Sequence, residues 1–351
     1  MKELEMYRMN VQPQLEAFFA VKRKEVKRIA PDVVPLFDTV AEFVLRKGGK
    51  RIRGFLMTQG YRLITGKVST QVTTLSILAE LLHAYLLIHD DIIDQDEQRR
   101  GGKTVHIAVQ DLSPAAERAE HYGVSQAILL GNLLSIWARE LVLESRVSSE
   151  KKFRLLQRIE RMLEETHYGQ MMDILFSERE KVTEAQVLAV HQLKTAMYSF
   201  EAPLHLGAIL AGGTERDLKS ITLYAIPLGI AFQIQDDILG MFGNAKTIGK
   251  SVTSDLDEGK KTLLILYALK FASLKDRKRL RAILSNERMT ESALIDARRI
   301  VQVSGALAKA RERSYALVQE AKSALAKSLH LHSETRKVLG ALAEYMVRRS
   351  S

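Results

Sequence analysis

Apolar residues recur at helical spacing along nearly the whole chain, and two runs of aspartate interrupt them where apolar neighbours make a charge expensive. The first run is Asp90-Asp91-Ile92-Ile93-Asp94, at the end of a long apolar stretch. The second is Asp236-Asp237-Ile238-Leu239-Gly240, again closing an apolar stretch. A carboxylate without compensation in such surroundings is costly. Residues four apart on a helix share a face, so Asp90 and Asp94 point the same way and would repel each other. A hard divalent cation such as Mg2+ resolves the conflict, because it takes oxygen ligands and is commonly shared with substrate phosphates. A metal-assisted enzyme acting on a diphosphate is therefore the leading expectation.

The rest of the chain supports an all-α fold. Only 6 Pro and 20 Gly occur in 351 residues, and the abundance of Ala, Leu, Glu, Lys and Arg favours helix. The spacing predicts helices over 13–30, 37–47, 51–64, 70–94, 123–144, 149–176, 183–210, 215–241, 262–272, 290–303, 306–329 and 333–349. No strand is expected, and 95–103 reads as a polar loop. Without Pro/Gly/Ser-rich linkers the chain reads as one domain over 1–351. Its motif-bearing core covers about 37–272, and further helices about 273–351.

Several function classes are excluded or disfavoured. With no cysteine, disulfides and thiolate metal sites are ruled out, and a reducing, cytoplasmic setting fits. No transmembrane segment is expected: the best candidate, 220–235, holds Pro227 and two glutamines and runs into the second aspartate pair. The N-terminus has no apolar core of a secretory signal. The net charge of +10 invites a nucleic-acid reading, but the basic residues are dispersed and not interleaved with aromatics. Attraction of anionic substrates accounts for them as well.

Other segments carry possible chemistry beside plainer readings. Arg99-Arg100-Gly101-Gly102 is either a solvated turn or a bidentate phosphate clamp one short loop beyond the first carboxylates. Gly48-Gly49-Lys50-Arg51-Ile52-Arg53-Gly54 is either a helix junction or an anion site at a helix start, and its spacing is not that of a P-loop. Asp236, Asp237, Lys250, Asp255, Lys260 and Lys261 are either surface ion pairs of little worth or a metal and diphosphate cluster. His83 lies near the stripe of Asp90, two turns earlier. Lys194, mid-helix between apolar neighbours, either snorkels or meets an anion.

Taken together, these segments resemble the trans-isoprenyl diphosphate synthases, also called polyprenyl synthetases. The likeness runs from about Gly48 to Thr262. It rests on GGKRIR, HAYLLIHDDIID from His83 to Asp94, the RRG at Arg99, GQMMD from Gly169 to Asp173, Lys194-Thr195, and FQIQDDIL followed by GKSVTSDLDEGKKT. The resemblance implies an all-α bundle around a deep cavity, usually dimeric, with the acidic motifs facing each other at its mouth. It implies head-to-tail condensation of isopentenyl diphosphate with an allylic diphosphate (dimethylallyl, geranyl or farnesyl). Asp90, Asp94 and Asp236 would hold two or three Mg2+ ions against the allylic diphosphate, which Arg99, Lys194 and Lys260 would contact, with Lys250 close by. Lys50, Arg53, His83 and Arg100 would bind isopentenyl diphosphate. Thr195 and Gln233 would stabilise developing positive charge, with Gln170 and Asp173 supporting the site. The second motif departs from the common DDxxD pattern, because Gly240 stands at its last position; Asp255 is a candidate to supply charge nearby.

By the same resemblance, residues just before the first motif set the product-length floor. These are Tyr85 and Leu86, five and four positions before Asp90. At about 1.5 Å per residue, Tyr85 sits roughly 7.5 Å below Asp90 along the helix axis. One aromatic there implies a geranylgeranyl (C20) product, with farnesyl (C15) the runner-up. A terpene cyclase would share the fold but not need Lys50, Arg53 and His83. A non-catalytic subunit of a heteromeric synthase would tend to lose an acidic motif, and both are present.

Overall fold

The computed structural model describes residues 2–46, 49–243, 259–285 and 290–347. Their contacts divide the chain into two compact units. The first runs to Leu156 and takes in Leu206–Gly212; the second comprises Gln157–His205 and the residues from Gly213 onward.

The first unit contains α1 (Lys2–Ile29), α2 (Val34–Leu45), α3 (Ile52–Thr65), α4 (Thr70–Leu75), α5 (Ile77–Ile93), α6 (Val105–Gln110) and α7 (Ala119–Glu144). Helix α5 packs against α7. Phe18, Phe19, Phe37 and Trp137 knit α1, α2 and α7 together through ring contacts of 5.4–6.4 Å between centroids. Helix α1 begins eleven residues before the expected start and carries Pro13 inside it. Proline has no N–H, so the Met9 carbonyl four residues earlier loses its helical donor while the helix continues through it. The expected continuous helix over 70–94 breaks at Ser76, whose hydroxyl donates to Thr73 O (2.6 Å) and meets Tyr7 OH (2.7 Å).

The polar loop over 95–103 contains a short antiparallel hairpin, Gln98–Arg99 with Gly102–Lys103. Arg100 (φ 54°) and Gly101 (φ 73°) are both left-handed, the backbone signature of a two-residue type I′ turn. The sequence hid it because Arg-Gly is not among the residue pairs that usually mark such turns.

Helix α8 (Ser149–Ser177) begins in the first unit and continues into the second. There follow α9 (Glu184–Val190), a π-helical stretch (His191–Glu201), α10 (Ala202–Leu210, which passes into the first unit from Leu206), α11 (Glu215–Phe242), α12 (Leu263–Phe271), α13 (Leu274–Leu284), α14 (Glu291–Val303), α15 (Ala306–Lys327) and α16 (Ser333–Val347). Helix α11 packs against the π stretch and α15. Capping boxes at Thr183 with Gln186 and at Thr214 with Asp217 start α9 and α11. Sequence periodicity missed α6 and α13, both short.

By length and composition alone, two helical stretches, 70–93 and 116–144, are apolar enough to cross a membrane, and neither is the candidate named from the sequence. In the first, 72% of the apolar window is buried within the protein, as in a core helix.

A buried polar cluster ties α8, the π stretch and α11 within the second unit. Arg158 donates to Glu201 Oε2 (2.7 Å) and to His205 Nδ1 (3.2 Å), while Thr222 donates to Glu201 Oε1 (2.6 Å). His205 Nε2 lies 3.0 Å from Leu218 O and donates to it, so the imidazole is neutral. Burial lowers its pKa to about 4, with Arg158 adding to the effect and Glu201 opposing it. Between about pH 6.5 and 4 the unfolded chain then binds the proton and the folded chain does not, so stability falls as pH falls through that window. The loss reaches at most about 3 kcal/mol by pH 4. Thermal melts from pH 7 to 4.5 should show this decline, and His205→Gln should make the slope shallower; an unchanged slope would contradict the assignment.

Candidate active site

Helix α5 delivers the first acidic motif and splits it between two faces. Asp90 and Asp94 are half-buried, and the Asp94 N–H closes the last turn on Asp90 O at 2.8 Å. Asp91 points the other way and is fully buried. Arg99 Nε donates to Asp91 Oδ1, Arg99 Nη2 donates to Asp96 Oδ2 (3.0 Å), and Asp90 Oδ2 is 3.8 Å from Nη2. Burial pushes the Asp91 carboxyl up to about 7 despite the opposing pull of Arg99. Burial alone would lower the Arg99 pKa, but the three carboxylates together raise it.

The type I′ turn aims Arg100 back at α5. Its Nη2 is 3.2 Å from His83 Nε2. A side chain at Gly49 would bring Cβ to 3.3 Å from Arg100 Nη1, so glycine leaves room for the guanidinium. Left-handed backbone at a non-glycine residue costs about 1–3 kcal/mol and clusters at functional sites. Arg46 steadies the hairpin through Arg99 O (3.0 Å) and Lys103 O (3.2 Å). Burial, then Arg53, Arg100, Arg99 and Arg51, lower His83 well below the usual imidazole range. It is neutral at pH 7, and its Nε2 accepts from Arg100. Burial also lowers Arg100 to about 10, with Arg51, Arg53 and Arg99 contributing and Glu80 opposing; it remains cationic at pH 7. Such a concentration of cations suits an anionic partner. Arg53 is half-buried and Lys50 exposed.

Sequence reasoning missed Glu80. Its carboxylate is buried, accepts from the Gly54 N–H at 3.0 Å and faces Arg51 Nη1 at 3.4 Å. This pairing holds the start of α3, where Arg51 is left-handed (φ 50°), and thereby the ground under Lys50 and Arg53.

Tyr85 is buried, with its ring edge-on to His89 at 4.7 Å between centroids. Gly131 of α7 makes room for His89: a Cβ there would lie 2.5 Å from His89 Cε1. Leu86 is half-buried.

The second unit carries the other set. In the π stretch, the Ala202 N–H bonds to Met197 O, five residues back. Gly169 of α8 lets the two backbones touch: its Cβ would fall 2.3 Å from Lys194 N and 2.8 Å from Leu193 C. One turn on, Asp173 Oδ2 takes a 2.7 Å hydrogen bond from Lys194 Nζ. The GQMMD run thus provides a backbone contact and a counter-charge for the lysine, while Gln170 is half-buried. Thr195 donates to Gln233 Oε1 (2.7 Å), and Gln233 Nε2 donates to Asp237 Oδ1 (2.8 Å). Asp236 is half-buried and Asp237 buried, so this motif too divides its carboxylates between two faces. Lys260 is half-buried. Burial lowers Lys261, with Glu178 opposing. Lys250 and Asp255 lie outside the described residues.

Within the first unit, Asp90, Arg99, Arg100 and His83 are thus gathered around the end of α5 and the hairpin. Within the second, Lys194 pairs with Asp173, while the adjacent Thr195 is linked through Gln233 to Asp237. Among the described residues no three metal-ligating side chains are clustered. The donor set still fits Mg2+, which is commonly held by one or two carboxylates together with phosphate oxygens and water.

The polyprenyl synthetase family model matches residues 34–301. A geranylfarnesyl diphosphate synthase from Aeropyrum pernix is 34% identical over 310 residues, covering 87% of this chain and 92% of that protein. A geranylgeranyl diphosphate synthase from Sulfolobus acidocaldarius is 32% identical over 276 residues, covering 78% of this chain and 79% of that protein. The crystal structure of a geranylgeranyl pyrophosphate synthase from Corynebacterium glutamicum, complexed with isoprenyl diphosphate and magnesium, superposes with a TM-score of 0.91 at 31% identity over 99% of both chains. The chain belongs to the polyprenyl synthetase family. It is a trans-prenyltransferase of the short-chain type, from a family that works with a divalent metal.

Proposed function

We propose that the protein condenses isopentenyl diphosphate with dimethylallyl, geranyl or farnesyl diphosphate, and that its main product is geranylgeranyl diphosphate. The observation that carries the reading is the division of the first acidic motif. Asp91 is committed to Arg99, while Asp90 and Asp94 share the half-exposed face of α5. Asp90, Asp94 and Asp236 hold two or three Mg2+ ions. When bound, magnesium neutralises charge on the allylic diphosphate and on the diphosphate that departs.

The protein's own groups do the rest. Arg99, Lys194 and Lys260, with Lys250, meet the allylic diphosphate; Lys194 exchanges Asp173 for phosphate oxygen. Cations aimed where negative charge develops lower the barrier to C–O ionisation. Lys50, Arg53, Arg100 and His83 hold isopentenyl diphosphate, with neutral His83 orienting Arg100. Thr195 and Gln233 face the electron-poor carbon with oxygen lone pairs. Apolar walls keep water from the cation, and the departed diphosphate takes the proton released when the new double bond forms.

Tyr85 is the product-length floor in this reading, and its burial against His89 supports a fixed ring. Tyr85→Ala should lengthen the product by at least one five-carbon unit, seen by chromatography of the dephosphorylated alcohols; an unchanged or shorter distribution would remove the floor. The A. pernix relative, named for a C25 product, makes geranylfarnesyl diphosphate the second reading, and the wild-type profile decides between C20 and C25. Conversion of the allylic diphosphate to product without isopentenyl diphosphate would point instead to a cyclase. Both units serve this one reaction as a single catalytic domain. A homodimer is supported by the exposed apolar stripe of Leu129, Leu133, Ile136 and Leu143 on α7, and a cytoplasmic setting by the absence of cysteine.

A further inference from the structure

Four polar side chains of the second unit lie in a row between the π stretch and α11, three joined by hydrogen bonds and the fourth, His191, at contact distance. Thr195 Oγ1 donates to Gln233 Oε1, Gln233 Nε2 donates to Asp237 Oδ1, and His191 Nε2 lies 3.2 Å from Asp237 Oδ2. His191 and Asp237 are both 6% exposed, too deep for a surface pairing. No fully aligned hydrogen bond reaches Asp237 Oδ2, so the His191 imidazole is the polar group that balances it. His191 Nδ1 is buried with no hydrogen-bond partner, and the Nε2 edge of the ring is the one that faces Asp237. A buried carboxylate and imidazole in this arrangement are expensive unless they do something for their neighbours.

We infer that Asp237 and His191 are positioning residues that set the polarity of the Thr195 hydroxyl. An amide can present either end to a neighbour. With its NH2 donating to Asp237 Oδ1 at 2.8 Å, Gln233 turns its carbonyl toward Thr195; the flipped amide would set oxygen against a carboxyl oxygen. The Thr195 proton is therefore committed to Gln233, and its remaining lone pairs point away from Gln233. A hydroxyl oriented that way favours positive charge near it, whereas one presenting its proton opposes it. His191 holds the other carboxylate oxygen and so fixes the plane in which Asp237 receives the amide. On this account the second aspartate of the motif serves the carbocation side of the reaction, and Asp236 alone of the pair serves the metal. The inference deepens the function proposed above and rests on Thr195 facing the reacting carbon.

The test is steady-state kinetics on His191→Ala, His191→Gln, Thr195→Val and the His191→Ala/Thr195→Val double variant, with 15N NMR of the wild-type imidazoles. His191→Ala should lower kcat about ten-fold or more, the range seen when a supporting hydrogen bond is removed. KM for isopentenyl diphosphate should stay within about two-fold. His191→Gln should recover most of kcat, because an amide donor can replace the imidazole. In the double variant the His191 change should cost less than about two-fold beyond Thr195→Val alone, since coupled residues are not additive. Additive losses, an unchanged kcat in His191→Ala, or a rise in KM alone would overturn the inference. If His191→Ala does not fold, His191→Gln with retained kcat against His191→Leu with reduced kcat makes the same comparison. The NMR readout needs no activity: a His191 ring carrying a proton on Nε2 is expected, and one protonated on Nδ1 alone would overturn the inference. An inactive wild-type enzyme with the Nε2–H ring would instead count against the proposed function.

Discussion

Asp90→Asn should lower turnover by about a thousand-fold or more while leaving the helical circular dichroism and the melting temperature close to wild type. The substitution keeps the size and hydrogen-bonding capacity of the side chain and removes one unit of charge. At about 4 Å and an effective dielectric near 20, a unit charge pair is worth roughly 4 kcal/mol, which is about three powers of ten in rate. Asp90 is half-buried at the end of α5, so stability has little stake in its charge. Asp111→Asn is the control: Asp111 pairs with Lys103 at the exposed surface, where such pairs are worth little, and its rate should match wild type. A rate for Asp90→Asn within ten-fold of wild type would remove this residue from the metal site.

The second large effect is expected at Gly169. Its missing Cβ would stand 2.3 Å from Lys194 N and 2.8 Å from both Leu193 C and Lys194 Cα. All three are backbone atoms, so no side chain can rotate away. Gly169→Ala must push α8 from the π stretch, at a cost of about 2–3 kcal/mol or more for overpacking. The displaced segment carries Lys194 and Thr195. A shift of about 1 Å in such groups costs roughly a hundred-fold in rate, so kcat and melting temperature should fall together. Gly340→Ala offers the contrast. It lies within α16 with nothing within 4 Å of the added Cβ, and should stabilise by up to about 1 kcal/mol through helix propensity. Wild-type melting and rate in Gly169→Ala would show that the close approach is not required.

How much of this was legible in the sequence depended on the physics behind each feature. The acidic motifs stood out because carboxylates in apolar helices need compensation, and that requirement is written in composition. The long amphipathic helices were equally plain. The hairpin at Arg99 was not, because Arg100 adopts a left-handed conformation that its residue type disfavours; the contacts with His83 and Arg46 hold it there. In sequence the π stretch looks like ordinary helix, since a five-residue hydrogen-bond step leaves no mark in apolar periodicity. With it went His191, whose sequence clue was a histidine three residues before Lys194. Glu80 was hidden in an apolar run that gave no hint of its buried partner, Arg51. The division of each aspartate pair between two faces follows from tertiary placement: Asp91 and Asp94 differ in sequence context far less than in what surrounds them.

The most direct test of the whole account is one incubation of the purified protein with dimethylallyl diphosphate and labelled isopentenyl diphosphate, with Mg2+ or with a chelator, followed by chromatography of the dephosphorylated products. The account predicts incorporation that requires the metal and yields mainly the C20 alcohol. Failure to join five-carbon units under any divalent ion, or a product pool dominated by C30 and longer chains, would contradict it.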